Sequence, residues 1–450
     1  MREHIIERAR LRRILALALP IIGAMVSQNV LNLVDTFMVS RLGAAAIAAV
    51  GIGNFANFMA MAFVTGLSAG VQAAAARRVG EGRLGEAAVP LNGGLLLVVA
   101  IAVPLTVISI ALTPVLFPLL VDDPQVQAIG IPYLQARLAG MVAVGANFSF
   151  RGYWNGVGQS GFYLRTLLLM HAANVLFSYT LIFGAFGAPA LGATGAGIGT
   201  TAATFLGTLY YVWLGKLHAS DAGFLHGMPA RAQMRSMVQV SVPSGVMQLF
   251  FAAGLTAQFV IVGRIGTAEL AAATVLINLI LVVLLPGLGL GLAGASLVGQ
   301  ALGRGDADDA TAWGWDVCRI AAVVMGTLGL PMLLAPHAIL SPFFDAGEPT
   351  EAAALAAAVD PLRLVGATMA IEAIATVLLN TVIGAGATRT ALVVSVILQW
   401  FLFLPVAFLV GPFGGGGLMA VWLAYAGYRA LQAAIFAWLW RSRRWAHISL

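Results

Sequence analysis

The sequence predicts an all-α integral membrane protein, with twelve transmembrane helices in two pseudo-symmetric six-helix lobes. Three observations predict it. The 450 residues are 60% hydrophobic and only 9% charged, against about 25% charged in an ordinary soluble domain. Apolar runs of about 20 residues recur along the whole length, each long enough to cross a hydrocarbon core roughly 30 Å thick as a helix, the form that leaves no backbone group unpaired in lipid. The second half of the chain also repeats the first.

The first span, 14–40, holds 27 residues between Arg13 and Arg41, with Asp35 the sole charge among them. Spans at 45–75 and 89–119 follow, divided by the polar turn that carries Arg77, Arg78 and Arg83. Past Asp122 and Asp123 come 129–154 and, beyond a glycine-containing turn, 162–185. The sixth span, 191–215, opens on "GATGAG" and stops at Lys216. Spans seven to nine, 238–264, 270–300 and 316–343, are separated by Arg264 and by the charged stretch from Arg304 to Asp309. The last three are 361–385, 390–411 after Arg389, and 416–440, which opens in "FGGGGL" and stops at Arg441.

Charge sets the orientation. An even number of spans puts both termini on one side, which collects Arg2, Arg8, Arg10, Arg12 and Arg13, the loop arginines such as Arg231, Arg235 and Arg304, and Arg441, Arg443 and Arg444. The opposite loops keep Arg41 and Arg264 and carry acids at Asp122, Asp123, Asp345, Glu348, Glu351 and Asp360. By the positive-inside rule the basic side is cytoplasmic. The net charge of +6 is therefore topology signalling, with no nucleic-acid partner implied. Cys318 is the only cysteine, which excludes an intrachain disulfide and a thiolate metal cluster. The first apolar run is too long for a cleavable signal sequence.

Sliding the chain by 223 residues superposes Pro20 on Pro243, Arg41 on Arg264, Gly43 on Gly266, Gly66 on Gly289, Gly80 on Gly303 and Gly82 on Gly305. A shift of 228 lays Gly156 and Gly158 over Gly384 and Gly386. The domain organisation expected is an N-terminal lobe, 1–215, a cytoplasmic connector, 216–236, and a C-terminal lobe, 237–450. Two six-helix copies share one membrane orientation, so an axis along the membrane normal relates them, as in transporters that alternate access between two lobes.

Two acids fall well inside spans, Asp35 and Glu372. A carboxylate at a helix centre costs about 2.5 to 3.5 kcal/mol to insert, so such residues usually face a cavity and serve a function. His171, Asn174 and Ser178 fall at i, i+3 and i+7, on one face of the fifth helix. With Thr200 and Thr201 on the sixth helix and Tyr133 on the fourth, they can form a polar cavity around Asp35; ordinary interhelical hydrogen bonding is the alternative. Desolvation disfavours the charged carboxylate, which suits it to load and release a proton. An unperturbed histidine titrates near neutrality, which makes His171 a second candidate, although a lone intramembrane histidine serves equally as a packed hydrogen-bonding residue. In the second lobe Asp35 maps onto Gln258 and Glu372 has no counterpart, so the lobes match in frame and differ in chemistry. Glu372, Gln248, Gln258 and Asn278 are the second-lobe candidates for substrate contact.

Other motifs fail. "GLGLAG" at 289–294 has no preceding strand or acidic ribose partner and marks close helix packing. "GDADDA" at 305–310 lacks the remaining calcium-loop ligands. No nucleophile–base pair or zinc spacing appears, which argues against an enzyme.

The stretches "LALALPIIGAMVSQNVLNLVDTFMVSRLG", "VPSGVMQLFFAAGLTAQFVIVGRIG" and "NTVIGAGATRT" resemble the multidrug and toxic compound extrusion (MATE) transporters, and most nearly their DNA-damage-inducible, DinF-like branch. The resemblance covers nearly the whole chain. It implies two six-helix lobes in a V, export of cationic or amphipathic compounds, and antiport against protons or sodium. Asp35 matches the family's helix 1 aspartate and Asn174 its helix 5 asparagine. Tyr133 and Thr200 resemble members of the same network, Pro20 matches the helix 1 proline linked to bending, and Glu372 matches the helix 10 acid. The chain departs where relatives carry a second helix 5 aspartate, here Ser178, and where sodium-coupled relatives carry a helix 7 glutamate, here Phe251 with Gln248 nearby. Fewer carboxylates mean fewer hard oxygen ligands, so a proton is expected as the coupling ion, with sodium at Asp35 and Asn174 the alternative. No other cofactor is expected. The partners expected are small amphipathic or cationic substrates and membrane lipids, around a monomer in a bacterial inner membrane. A flippase for a lipid-linked metabolite is the competing reading.

Overall fold

The computed structural model describes residues 6–344 and 347–448; Arg2 and Asp345, counted above in the charge asymmetry, lie outside the described residues. The described residues contain helices and no strand. The twelve long helices are α1 Arg8–Ser40, α2 Ala44–Gly80, α3 Val89–Leu116, α4 Pro124–Leu138 continued by Met141–Gly156, α5 Gly161–Phe183, α6 Gly192–His218, α7 Arg231–Gly263, α8 Thr267–Gly303, α9 Ala307–Leu334, α10 Pro349–Gly384, α11 Thr388–Phe413 and α12 Gly417–Ser442. Among the described residues nine are long and apolar enough to span a membrane, the two arms of α4, bent by 42°, make ten, and α6 and α12 complete the twelve.

Several helices begin before the apolar runs that announce them. α1 starts at residue 8 rather than 14, α7 at 231 rather than 238, α9 at 307 rather than 316 and α10 at 349 rather than 361. Hydropathy marks the part of a helix in lipid, whereas the hydrogen-bonded turns continue into water through polar residues. α9 is an example, since its N-cap Asp306 accepts the Asp309 backbone N–H at 2.8 Å and so satisfies an orphan donor of the first turn. α9 also ends earlier than expected, at Leu334, two residues before Pro336, where the restricted pre-proline backbone stops a helix. α11 contains two π-helical stretches, Ile397–Phe403 and Leu409–Phe413. Between α6 and α7 only residues 219–230 are non-helical in the long-helix frame.

The chain forms two compact units. One is Gly23–Leu249; the other joins the described residues up to Ile22 to the stretch beginning at Phe250. α1 and α7 thus each contribute their two ends to different units, and both change over shortly after the matched Pro20 and Pro243, residues that remove one helical hydrogen bond each.

In the first unit the early part of α7 packs on α2. Ser241 Oγ donates to the Leu67 carbonyl at 2.9 Å, the point where α2 breaks, and a Cβ on Gly66 would lie 2.4 Å from the Cα of Gly245. Gln233 Oε1 accepts from Arg78 at 2.6 Å, and Arg78 also pairs with Glu86. In the second unit the start of α1 packs on α9. Arg10 donates to Asp316 and to Asp309, each at 2.6 Å, and its guanidinium lies 3.7 Å from the Trp313 ring centre. Arg13 donates to Gln300 at 2.7 Å. The 223-residue shift relates Arg10 to Gln233 and Glu86 to Asp309, so the repeat places one polar clamp at the start of α1 and its counterpart at the start of α7. Arg10→Ala removes two charge-assisted bonds and is expected to cost the first turns of α1 about 1.5 to 3 kcal/mol. Hydrogen exchange checks this: amides near residue 10 should exchange at least about tenfold faster than in wild type, and unchanged protection would show that the clamp is idle.

Candidate functional site

The first unit contains the Asp35 site. Helical spacing puts Gln28 and Asp35 on one face of α1, and His171, Asn174 and Ser178 on one face of α5. The two faces meet. Asn174 Nδ2 donates to both Asp35 oxygens, at 2.9 and 3.0 Å, while its Oδ1 accepts from Ser178 Oγ at 3.2 Å. Two turns toward the α1 start, His171 Nε2 lies 3.2 Å from Gln28 Oε1, and its Nδ1 is buried without a hydrogen-bond partner. Asn174 is only 1% exposed and Ser178 is fully buried, whereas Asp35 is half-buried and so keeps a path to the outside of the unit. Among the described residues Asp35 is in no ion pair, although Arg137 on α4 attracts it at longer range.

The small residues of α6 let that helix pack closely on α5 and α4. A Cβ on Gly199 would lie 2.7 Å from the Ser178 backbone nitrogen, and one on Gly197 2.9 Å from the Tyr133 carbonyl. Tyr133 is buried, but its hydroxyl donates to Asn54 Oδ1 on α2 at 2.6 Å and does not close the group around Asp35. Thr200 donates to the Ala196 carbonyl of its own helix at 2.9 Å, and Thr201 to the Ala136 carbonyl of α4 at 2.7 Å. Thus the structure joins Asp35, Asn174 and Ser178 in one hydrogen-bonded chain, pairs His171 with Gln28, and turns the hydroxyls of Tyr133 and Thr200 elsewhere. Sequence reasoning missed Gln28, Asn54 and the buried Asn57, whose Oδ1 has no partner. The signal was present: Asn54 and Asn57 are the i, i+3 polar pair of "GNFANF" in an otherwise apolar span.

The second unit contains Glu372, 4% exposed. It is paired with Arg429 of α12, whose Nε lies 2.7 Å from Oε2 and whose Nη2 lies 2.6 Å from Oε1. Arg429 further donates to Thr376 Oγ1 at 3.1 Å and to Gln432 Oε1. Arg429 was missed, although a base in the middle of "AVWLAYAGYRALQAAIFAWLW" meets the same criterion that selected the two acids. None of Gln248, Gln258 and Asn278 hydrogen-bonds to Glu372 among the described residues. Gln258 is buried on α7, Asn278 is exposed and donates to its own helix at the Thr274 carbonyl, and Gln248 is exposed and belongs to the unit containing Asp35. Pro20 sits inside a continuous α1, two residues before that helix leaves the second unit.

Chemically, Asp35 offers an exchangeable carboxylate next to an amide. The Asn174 NH2 facing both carboxylate oxygens complements an ionised acid. An amide turned by 180° would present its oxygen to a protonated one, and the two orientations differ only in the hydrogen-bond network they satisfy. Oxygen ligands for a hard cation are available from Asp35, Ser178 and, after such a turn, Asn174.

Comparison with known proteins gives consistent matches. A family model described as MatE matches residues 20–180 and again residues 243–409, the two stretches that the 223-residue shift superposes at their start. A multidrug resistance protein NorM from Burkholderia vietnamiensis is 26% identical over 97% of this chain and 93% of its own. A probable multidrug resistance protein NorM from Synechocystis is 28% identical over 97% and 95%. Among solved structures, an outward-facing multidrug resistance MATE family transporter of the MOP superfamily superposes with a TM-score of 0.88 at 19% identity, covering 98% of this chain and 97% of its own. A MOP superfamily transporter from Pyrococcus furiosus superposes with a TM-score of 0.87 at 20% identity, covering 96% of each chain. At such identities the superpositions establish the fold.

Proposed function

The chain belongs to the MatE family of membrane transporters, and on that premise we propose that it is a proton-coupled antiporter that exports amphipathic or cationic small molecules. The observation that carries the reading is the Asp35 carboxylate, held by one neutral amide in the interior of a membrane helix with no cation paired to it among the described residues. Such a group changes its charge when it takes up an ion, and that change alters which packing of α1 on α5 is favoured. Protonation removes the ionic acceptor that the Asn174 amide satisfies, so the α1–α5 contact is stronger in one ionisation state than in the other. Differential binding of that kind is what lets an ion gradient shift a two-state transporter.

Protons fit this site better than sodium. The carboxylate is the only acid in the cluster, and Ser178 and Asn174 are neutral, which leaves few hard ligands to replace the hydration shell of a metal ion. The NorM names of the relatives support drug-like cargo. The loop arginines support a bacterial inner-membrane location with cytoplasmic termini, and the internal repeat supports transport by two lobes that alternate access.

The test is efflux of a fluorescent cation from proteoliposomes under an imposed pH gradient, and separately under a sodium gradient. Efflux driven by the pH gradient alone is expected. Efflux driven only by sodium overturns the ion assignment, and uptake of a lipid-linked probe with no drug efflux overturns the cargo.

A further inference from the structure

We propose that Arg429 is a tethered cation occupying a monovalent-cation site in the second unit, so that Glu372 takes no part in ion coupling. The proposal rests on the antiporter reading only in assigning coupling to Asp35.

The site is built of oxygen. Both Glu372 carboxylate oxygens, Thr376 Oγ1 and Gln432 Oε1 converge on one guanidinium. These are hard donors, the kind that suit a small alkali cation. Their orientation is fixed from behind: Gln432 Nε2 donates to Ser395 Oγ of α11 at 3.3 Å, which turns the amide oxygen toward Arg429. An aromatic wall closes the site, with Phe403 stacked on Tyr428 at 5.3 Å between ring centres and edge-on to Tyr425 at 5.6 Å. The residues therefore come from three helices, α10, α11 and α12, and the Arg429 side chain is only 13% exposed.

The guanidinium engages the carboxylate as a two-pronged fork, the strongest arrangement available to an ion pair. A sodium ion or proton arriving at Glu372 has to displace a cation attached to the same chain, and a tethered group competes at a high effective concentration. Asp35 meets no such competitor, since its partner is an amide. The two intramembrane acids that look alike in the sequence are thus opposite in kind: one is open to an external ion and the other is permanently neutralised.

Three measurements on the full-length protein test this. In proteoliposomes the charge-free double variant Glu372→Gln with Arg429→Gln is expected to keep efflux that depends on the imposed pH gradient, whatever its absolute rate, since neither residue carries the coupling ion. A double variant that runs as a monodisperse, correctly inserted protein yet has lost gradient-driven efflux overturns the proposal. The second measurement leaves the Glu372 network intact: Asp35→Asn protein is expected to bind no radioactive sodium, and binding that persists there but disappears on adding Glu372→Gln overturns the proposal. Third, Arg429→Ala vacates the site, so sodium is expected to raise its thermal midpoint and not that of Arg429→Ala with Glu372→Gln; equal sodium response in both overturns the oxygen-site assignment. Asp35→Asn assayed for efflux in parallel separates the readings, because retained coupling there refutes the antiporter site whatever the second unit does.

Discussion

Asp35→Asn is expected to reduce gradient-driven efflux by about 5- to 150-fold, toward the leak of empty liposomes, while the protein inserts and purifies like wild type. The substitution is isosteric and leaves the contact with Asn174 geometrically possible, so the α1–α5 packing at this point survives. What is lost is the ability to change charge. A coupling free energy of 1 to 3 kcal/mol between ion and cargo corresponds to about 5- to 150-fold in affinity, and all of it passes through the one acid in the cluster. Efflux at the wild-type rate would mean that the Asp35–Asn174 contact merely seals two helices, and the coupling group would have to be sought elsewhere. Asn174→Ala distinguishes the amide from the acid: it is expected to weaken coupling and shift its pH dependence, because Asp35 then loses the two hydrogen bonds that favour its ionised form.

Arg429→Met, with Glu372 left in place, is expected to lower stability by about 3 to 5 kcal/mol, the usual consequence of leaving one member of a buried ion pair without its partner. The thermal midpoint in detergent checks this. Adding Glu372→Gln to Arg429→Met is expected to restore most of the loss, since the amide carries no charge to strand. Arg429→Lys is expected to fall between, because an ammonium on a flexible stem cannot reproduce the planar fork to both oxygens and the further bonds to Thr376 and Gln432. A full-strength Arg429→Met protein would show that Glu372 is solvated in the membrane and not dependent on its partner.

Much of the first unit's site was legible from spacing. The i, i+3, i+7 pattern on α5 placed His171, Asn174 and Ser178 on one face, and a lone acid on α1 marked where that face would be needed. Spacing did not reveal what each polar atom would choose. Tyr133 turned to Asn54 and Thr200 to its own Ala196 carbonyl, because a hydroxyl takes whichever acceptor the local rotamer reaches first. In the second unit the buried charge is a pair, and its base, Arg429, is as informative as its acid. Arg429 lies in the middle of an apolar span and could have been picked out by the same cost of burying charge that picked out Glu372. Its partner could not have been named, since 57 residues separate the two.

The sequence by itself determined an all-helical membrane protein of two repeated halves, the frame of the repeat, and the positions of Asp35 and Glu372. Those are properties of composition and local period, which lipid enforces on each segment separately. The tertiary structure alone decided that the Asp35 carboxylate meets the nitrogen of Asn174, 139 residues away, that Glu372 is paired with Arg429, and that α1 and α7 each divide between the two units. These depend on the rotation of each helix about its axis and on which helices are neighbours, and both are set by the summed packing of small residues such as Gly199 against distant backbone.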